Sequence, residues 1–426
     1  MIKIYIKTYG CSHNISDSEQ MAGLLAGAGY KMVFKEEEAD IVIINSCTVK
    51  DPSEKSFQSF MKKIVESGIP VVIAGCVPQA DPANELYSDL SVLGVEQIES
   101  VVEVVEQTLK GEIVKKLSRE KKGSSILLPK IRRNNLIEII PINVGCLGNC
   151  NYCKTKQARN HLRSYSIDEI IQRMRVSLNE GVKEFWITSE DVGAYGLDIK
   201  SEKTNLPILM KAIREINKDF KVRIGMANPN HIMKFLDEFI EQLRDDKFYK
   251  FVHIPIQSAS NNVLKEMNRF YKKEDFELIF KRLQKEFKDI TVATDYILGY
   301  PTETINDFEE TLSFVKKNHF RTQNITQFYP RPNTPATKLK LLSTKEVKKR
   351  AKLVMNEFQS FNPNEDFLGK TVEALFIDKG KKGTIVGHSD NYVQVIVEGD
   401  QDLLGEKKKV KILETNKFYV KGEIVE

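Results

Sequence analysis

Six cysteines in 426 residues fall into two groups of three: Cys11, Cys47 and Cys76 in the first fifth of the chain, then Cys146, Cys150 and Cys153 as a CxxxCxxC run. None is left over, so cysteine here is reserved for chemistry rather than packing. A 4Fe-4S cluster ordinarily takes four thiolates, and a group of three leaves one iron without a protein ligand and open to a reacting molecule. Two such triads imply two open irons.

The CxxxCxxC run reads Asn143-Val-Gly-Cys-Leu-Gly-Asn-Cys-Asn-Tyr-Cys-Lys, with Gly145 and Gly148 permitting the tight turns that a loop needs to wrap a cluster. It resembles the signature of radical S-adenosylmethionine (SAM) enzymes, in which an aromatic residue at the place of Tyr152 lies near the adenine and the fourth iron chelates SAM. A zinc site or three inert thiols are the alternatives. Zinc favours a fourth Cys or His at short spacing, and the nearest downstream candidate, His161, stands eight residues past Cys153 without a second partner.

The first triad looks scattered until strands are marked. Ile2 to Lys7, Asp40 to Asn45 and Pro70 to Ala74 are short β-branched runs, each followed within a few residues by a cysteine. Helical stretches intervene at Ser16 to Gly29 and Ser53 to Glu66, each opened by a serine and closed near a glycine. A strand-helix-strand alternation makes a parallel sheet with right-handed crossovers, whose strands end on one rim where ligands bind. The three cysteines therefore converge. Three buried thiols acting as small hydrophobes are the alternative, and recurrence at the same structural place argues against it.

From Leu136 the chain repeats strand-helix units. Strands are expected at Leu136 to Asn143, Glu184 to Ser189, Lys221 to Asn228, Phe248 to Gln257, Ile290 to Leu298 and Arg321 to Tyr329. Helices are expected at Ser166 to Glu180, opened by a Ser166/Glu169 capping box, and at Leu206 to Phe220, Phe235 to Lys247, Lys273 to Phe287 and Thr304 to Asn318. Six parallel strands with outer helices predict a partial (β/α)6 barrel with its site at the carboxyl ends of the strands. Polar residues gather there: Ser189, Glu190, Asp191, Arg223, Asn228, Gln257, Ser258 and Asp295. From Leu368 onward short alternating runs without a helix predict a small closed β barrel, an architecture often used to hold single-stranded RNA.

Charge is uneven along this α/β chain. Residues 1–113 carry 9 Lys against 17 Asp and Glu, whereas residues 114–133 hold Lys115, Lys116, Arg119, Lys121, Lys122, Lys130, Arg132 and Arg133 against Glu120 alone. That stretch reads equally as a grip on nucleic-acid phosphates or as a solvated linker. Lys379, Lys381 and Lys382, with Lys407, Lys408, Lys409 and Lys411, form two further clusters in the terminal barrel. The expected organisation is an auxiliary-cluster domain at 1–113, a basic linker at 114–131, a radical SAM domain at 132–364 and an RNA-binding barrel at 365–426. No apolar stretch reaches the ~18 residues that span a bilayer, and no signal-peptide pattern opens the chain. A soluble cytoplasmic protein with reduced thiols is expected.

Tyr9-Gly-Cys-Ser-His-Asn with Asp17-Ser-Glu, Asn45-Ser-Cys-Thr-Val-Lys-Asp-Pro, Ala74-Gly-Cys-Val-Pro-Gln, the CxxxCxxC loop and a terminal barrel that looks like a TRAM domain together resemble the methylthiotransferase family. The second motif and Gly145-Cys-Leu-Gly-Asn-Cys-Asn-Tyr-Cys-Lys-Thr-Lys-Gln-Ala-Arg are similar to the archaeal and eukaryotic branch acting on threonylcarbamoyladenosine in tRNA; unlike animal members, the sequence shows no membrane-anchoring tail before Glu426. The resemblance implies a cluster on Cys146, Cys150 and Cys153 that splits SAM into methionine and a 5′-deoxyadenosyl radical. It also implies an auxiliary 4Fe-4S cluster on Cys11, Cys47 and Cys76 carrying sulfur, methylated by a second SAM and transferred to carbon 2 of the adenine. SAM contacts are assigned to Tyr152, Glu190, Arg223 and Gln257; an electron donor and a sulfur donor are required, and no membrane. Sister branches offer isopentenyladenosine in tRNA or a ribosomal-protein aspartate as substrate, and an iron-sulfur RNA-binding protein without catalysis is the rival of another class.

Overall fold

The computed structural model describes residues 1–48, 51–120, 123–201 and 203–425. Val49 and Lys50 of the second cysteine motif and Lys121 and Lys122 of the basic stretch thus lie outside the described residues. The chain falls into two units, Met1–Arg133 with Ile139–Leu147 and Cys153–Arg173, and Asn134–Glu138 with Gly148–Tyr152 and Met174–Glu426.

In the first unit the β-branched runs form β1 (Lys3–Thr8), β3 (Ile41–Ser46) and β4 (Val71–Gly75), flanked by β2 (Lys31–Val33), β5 (Ser91–Leu93) and β6 (Lys115–Lys116). All pair in parallel, in the order β2-β1-β3-β4-β5-β6. The three flanking strands are too short for a period of two to register in sequence. One face of the sheet packs Ile4, Ile41, Ile43 and Val72 against helix residues including Met21, Leu25, Val101 and Val104; the other packs Val42, Ile44 and Ile73 against Phe57, Met61 and Ile64. Both faces being covered explains why these strands read as unbroken apolar runs, and each fully buried aliphatic contributes about 1.5–3 kcal/mol.

Helix α1 spans Ser12–Gly27 and so begins directly after Cys11, four residues earlier than its expected start. Ser16 is not its cap: it is buried inside the helix, and its hydroxyl donates to the Ile139 carbonyl at 3.3 Å. Helices α2 (Asp51–Glu66), α3 (Cys76–Ala80) and α4 (Val101–Leu109) complete the crossovers. The basic stretch is not a bare linker. Lys115 Nζ donates to the carbonyls of Tyr87, Ser88 and Leu90 at 2.9, 2.8 and 2.8 Å, Lys116 pairs with Glu103 at 2.8 Å, and Lys130 Nζ donates to the Ile139 carbonyl at 2.6 Å. Three cations of the stretch, Lys115, Lys116 and Lys130, are thus engaged within the first unit.

The central strands are β7 (Ile137–Pro141), then after a short antiparallel pair β8 (Asn143–Val144) and β9 (Arg163–Ser164), β10 (Glu184–Thr188), β11 (Lys221–Ile224), β12 (Phe251–His253), β13 (Thr291–Leu298) and β14 (Thr322–Gln327). They form sheets β11-β10-β7 and β12-β13-β14, bridged in parallel at Val222 with Phe248 and Met226 with His253, which gives the six-stranded partial barrel. Helices α5 (Thr155–Arg159), α6 (Ile167–Asn179), α7 (Leu206–Arg214), α8 (Pro229–Ile232), α9 (Leu236–Leu243), α10 (Asn261–Glu266), α11 (Lys273–Glu286) and α12 (Ile305–Lys317) accompany them. The Ser166/Glu169 capping box is present: the Ser166 N–H donates to Glu169 Oε2 at 2.9 Å and the Glu169 N–H to Ser166 Oγ at 3.3 Å. Helix α7 stops well short of Phe220, whose ring instead meets Phe185 edge-on at 5.3 Å. Helix α13 (Thr344–Gln359) was not anticipated.

The final strands, β15 (Thr371–Lys379), β16 (Thr384–Ser389), β17 (Gln394–Glu398), β18 (Lys407–Thr415) and β19 (Tyr419–Val425), close into a barrel in the order β15-β16-β17-β19-β18 around Phe376, Ile385, Val395, Val410 and Ile412. This barrel docks on the amino-terminal ends of the central strands. There the fully buried Glu184 accepts from Trp186 Nε1 and Tyr249 Oη, both at 2.6 Å, and pairs with His388 of the barrel at 3.1 Å; Lys221 pairs with Asp390 at 2.6 Å. Burial opposes the Glu184 charge, yet His388 and these donors hold its pKa below the ordinary value. These contacts lie at the strand ends opposite to Glu190 and Gln257. Among the described residues no helix is long and apolar enough to cross a membrane.

Candidate metal centres

Strands β1, β3 and β4 run in step, with Thr8 beside Asn45 and Ser46 beside Gly75, so the residues that follow them emerge at one edge. Cys11, Cys47 and Cys76 are those residues. Asn14, in the first turn of α1, ties two of them: Cys11 Sγ donates to Asn14 Oδ1 at 3.3 Å, and Asn14 Nδ2 reaches Cys76 Sγ at 3.8 Å. Gly10, at φ +114°, lets Cys47 close in: a Cβ there would lie 2.5 Å from Cys47 Cβ and 2.8 Å from its sulfur, which no larger residue allows. Asn45 braces the arrangement from below, its Nδ2 donating to the Asn14 carbonyl and to Ser18 Oγ, each at 2.8 Å.

Cys47 and Cys76 are buried while Cys11 is exposed, so this triad has one open side. Burial pushes the Cys76 thiol up to about 12, against the pull of the Arg159 guanidinium. Arg159 is itself buried and paired with Asp17 at 2.5 Å, and its helix packs Ala158 against Cys76, Ala80 and Val95. Among the described residues no three His, Cys, Asp or Glu side chains close on a single ion. A cubane cluster spreads its thiolates over separate irons. Three sulfur donors at one rim, two of them walled from water and one open, therefore fit a cluster.

The CxxxCxxC loop belongs to both units. In the first, Gly145 has φ +79° and its Cβ would come within 2.1 Å of the His161 carbonyl, so only glycine admits the turn; the Cys146 N–H then donates to the Asn160 carbonyl at 3.4 Å. In the second unit the turn at 149–151 is clamped by the segment that follows α10. The Asn151 N–H donates to the Met267 carbonyl at 3.1 Å, Asn151 Nδ2 to the Glu266 carbonyl at 2.7 Å, and Asn268 Nδ2 to the Asn149 carbonyl at 2.7 Å. Arg269 Nη1 donates to Cys150 Sγ at 3.1 Å.

The other expected site residues lie in the second unit. Tyr152 packs against Val263, Met267, Tyr300 and Ala336. Glu190 follows β10 and precedes Asp191, a fully buried carboxylate that accepts from the Asn228 N–H at 3.0 Å and Asn228 Nδ2 at 2.5 Å and pairs with His231 Nδ1 at 2.7 Å. Gln257 sits just past β12 in a left-handed conformation, φ +65°, with its N–H donating to the Asp295 carbonyl at 2.8 Å. Arg223 differs from the other three in lying inside β11 beside Trp186, below the strand ends, with its guanidinium over the rings of Trp186, Phe251 and Tyr392 at 5.9, 5.1 and 5.2 Å. Sequence reasoning gave no role to Asn14, Arg159 or Arg269. The first two stand inside the quoted motifs, where spacing alone assigns nothing; Arg269 stands in none.

Residues 3–94 match the family described as Uncharacterized protein family UPF0004, residues 140–315 the Radical SAM superfamily and residues 365–425 the TRAM domain. The chain is similar to a radical S-adenosylmethionine methyltransferase, TsrM, of Kitasatospora setae, with a TM-score of 0.56 and 14% identity over 79% of this chain and 75% of that one, a likeness of fold alone. It is 45% identical to the threonylcarbamoyladenosine tRNA methylthiotransferase of Drosophila melanogaster over 100% of this chain and 78% of that protein. Against the probable threonylcarbamoyladenosine tRNA methylthiotransferase of Pyrococcus abyssi it is 38% identical over the full length of both. Likeness of this degree, running through both cysteine triads and the terminal barrel, means that the chain belongs to the threonylcarbamoyladenosine tRNA methylthiotransferase family.

Proposed function

We propose that this chain methylthiolates N6-threonylcarbamoyladenosine next to the tRNA anticodon, giving the 2-methylthio derivative, with SAM and two 4Fe-4S clusters as cofactors. The observation that carries the reading is the gathering of Cys11 and Cys76 about Asn14, with Cys47 against Gly10, in a chain whose residues 140–315 also match the Radical SAM superfamily. When bound, the two clusters supply one-electron cleavage of SAM and a place to carry sulfur, chemistry that belongs to the cofactors. Cys146, Cys150 and Cys153 hold the first cluster, and the clamp on 149–151 fixes their loop. Tyr152, Glu190 and Gln257 orient SAM at the strand ends, with Arg223 supplying positive charge from below. Cys11, Cys47 and Cys76 hold the second cluster and leave its exposed side, beside Cys11, to the incoming base. Barrel lysines Lys379, Lys381 and Lys382 meet tRNA phosphates. A one-electron reductant and a sulfur donor complete the cycle, in the cytoplasm and without a membrane.

Mass spectrometry of tRNA nucleosides from a strain lacking the protein tests this. The 2-methylthio form of threonylcarbamoyladenosine should vanish, its unthiolated precursor should persist, and re-expression should reverse both. Loss of the 2-methylthio form of isopentenyladenosine instead would transfer the chemistry to the sister substrate.

A further inference from the structure

Arg269 makes three polar contacts: Nη1 donates to Cys150 Sγ at 3.1 Å, Nε donates to Tyr271 Oη at 3.1 Å, and Nη2 donates to Asn228 Oδ1. Tyr271 and Asn228 bring no negative charge to it, and among the described residues no carboxylate lies within ion-pair distance of this guanidinium. The nearest acid along the chain of bonds is Asp191, which is occupied by Asn228 and His231. Tyr271 is equally fixed, its hydroxyl donating to the carbonyls of Pro255 and Ile256 at 2.9 Å each. The side chain is thus held from two directions with one fork aimed at the sulfur. A full positive charge kept partly out of water without a counter-ion costs free energy unless an anion is to arrive.

We infer that Arg269, buttressed by Asn228 and Asp191, is a positioning residue that donates a charge-assisted hydrogen bond to the Cys150 thiolate and raises the reduction potential of the cluster that this thiolate ligates. The physics is direct. One-electron reduction adds a negative charge to the cluster, and a fixed cation and N–H donor at a ligand sulfur stabilise the reduced form more than the oxidised one. The electron comes from an external one-electron reductant, and no proton is transferred. The contrast with Arg159 sharpens the point, because that guanidinium near Cys76 is already neutralised by Asp17. The inference rests on the reading that Cys146, Cys150 and Cys153 hold a cluster.

The test is a mediated redox titration of the full-length, anaerobically reconstituted protein. It is followed by electron paramagnetic resonance of the signal that changes when SAM is added, and is done for wild type, Arg269→Met, Arg269→Lys and Asn228→Ala. Arg269→Met should shift the reduced-to-oxidised ratio at a fixed potential about tenfold toward oxidised, about 59 mV for one electron. Arg269→Lys, which keeps charge and donor, should recover most of that shift, and Asn228→Ala should give a smaller shift of the same sign. An unchanged midpoint in Arg269→Met with wild-type iron content overturns the inference. If Arg269→Met loses the cluster, Asn228→Ala decides: a shift toward oxidised supports the inference and an unchanged midpoint overturns it. Wild-type protein without any SAM-responsive signal would instead defeat the underlying cluster reading, which keeps the two failures apart.

Discussion

Cys11, Cys47 and Cys76 come from three strand ends and meet only because β1, β3 and β4 run parallel and in register, whereas Cys146, Cys150 and Cys153 share one short run whose shape is set by Gly145 and by the clamp after α10. Their electrostatic settings differ as well. The first triad has two buried thiols and a cation cancelled by a carboxylate; the second has Cys150 facing an arginine that, among the described residues, pairs with no carboxylate. A site made by a sheet is lost when the sheet is disturbed and is otherwise stiff. A site made by a loop keeps its ligands together but depends on neighbours for orientation and charge. Under the proposed function, the difference suits a division of labour between storing sulfur and passing electrons to SAM.

Four measurements break or sharpen that contrast, in falling order of effect. Changing Cys146, Cys150 and Cys153 together to Ala should halve the iron of reconstituted protein, from about eight to about four atoms, and abolish formation of 5′-deoxyadenosine. A wild-type content near four would mean that only one triad holds a cluster. Next, Gly10→Ala places a methyl against Cys47 at a positive φ, so iron should again fall toward four, this time with SAM cleavage kept. Loss of both activities would show that the triads are not independent.

Third, Asp17→Asn removes the carboxylate that pairs with the buried Arg159 and should lower the stability of the first unit by about 3–5 kcal/mol, read as an earlier transition in urea. Wild-type stability in that variant would make the Arg159/Asp17 pair incidental. Last and smallest, Lys115→Ala should leave tRNA affinity and its salt dependence unchanged, because its ammonium is used by three carbonyls. Neutralising Lys379, Lys381 and Lys382 should reduce the salt slope by roughly 0.7 to 0.9 per lost phosphate contact. The opposite pattern would return RNA recognition to the basic stretch.

Much of this is legible in the sequence alone. A β-branched run ending in a cysteine, three times over, is enough to predict a shared rim, because parallel strands put their carboxyl ends together. The Ser166/Glu169 box and the closed terminal barrel are equally local signals. What escaped the sequence is long-range or very short. The strands β2, β5 and β6 hold two or three residues each. The contact between Arg269 and Cys150 joins positions 119 residues apart, and no periodicity reports it. Lys115 looked like a surface charge because its three carbonyl partners come from a distant turn. The docking of His388 and Tyr392 around Glu184 could not be read either, since a lone Glu at a strand start carries no mark of burial.

The account stands or falls on whether the two triads do different jobs. Full-length Cys47→Ala protein, reconstituted with iron and sulfide and supplied with SAM, a reductant and tRNA bearing threonylcarbamoyladenosine, measures this directly when 5′-deoxyadenosine and tRNA nucleosides are quantified in the same reaction. The account predicts that 5′-deoxyadenosine still forms while no 2-methylthio nucleoside appears. Thiolation of the tRNA at the wild-type rate would contradict it.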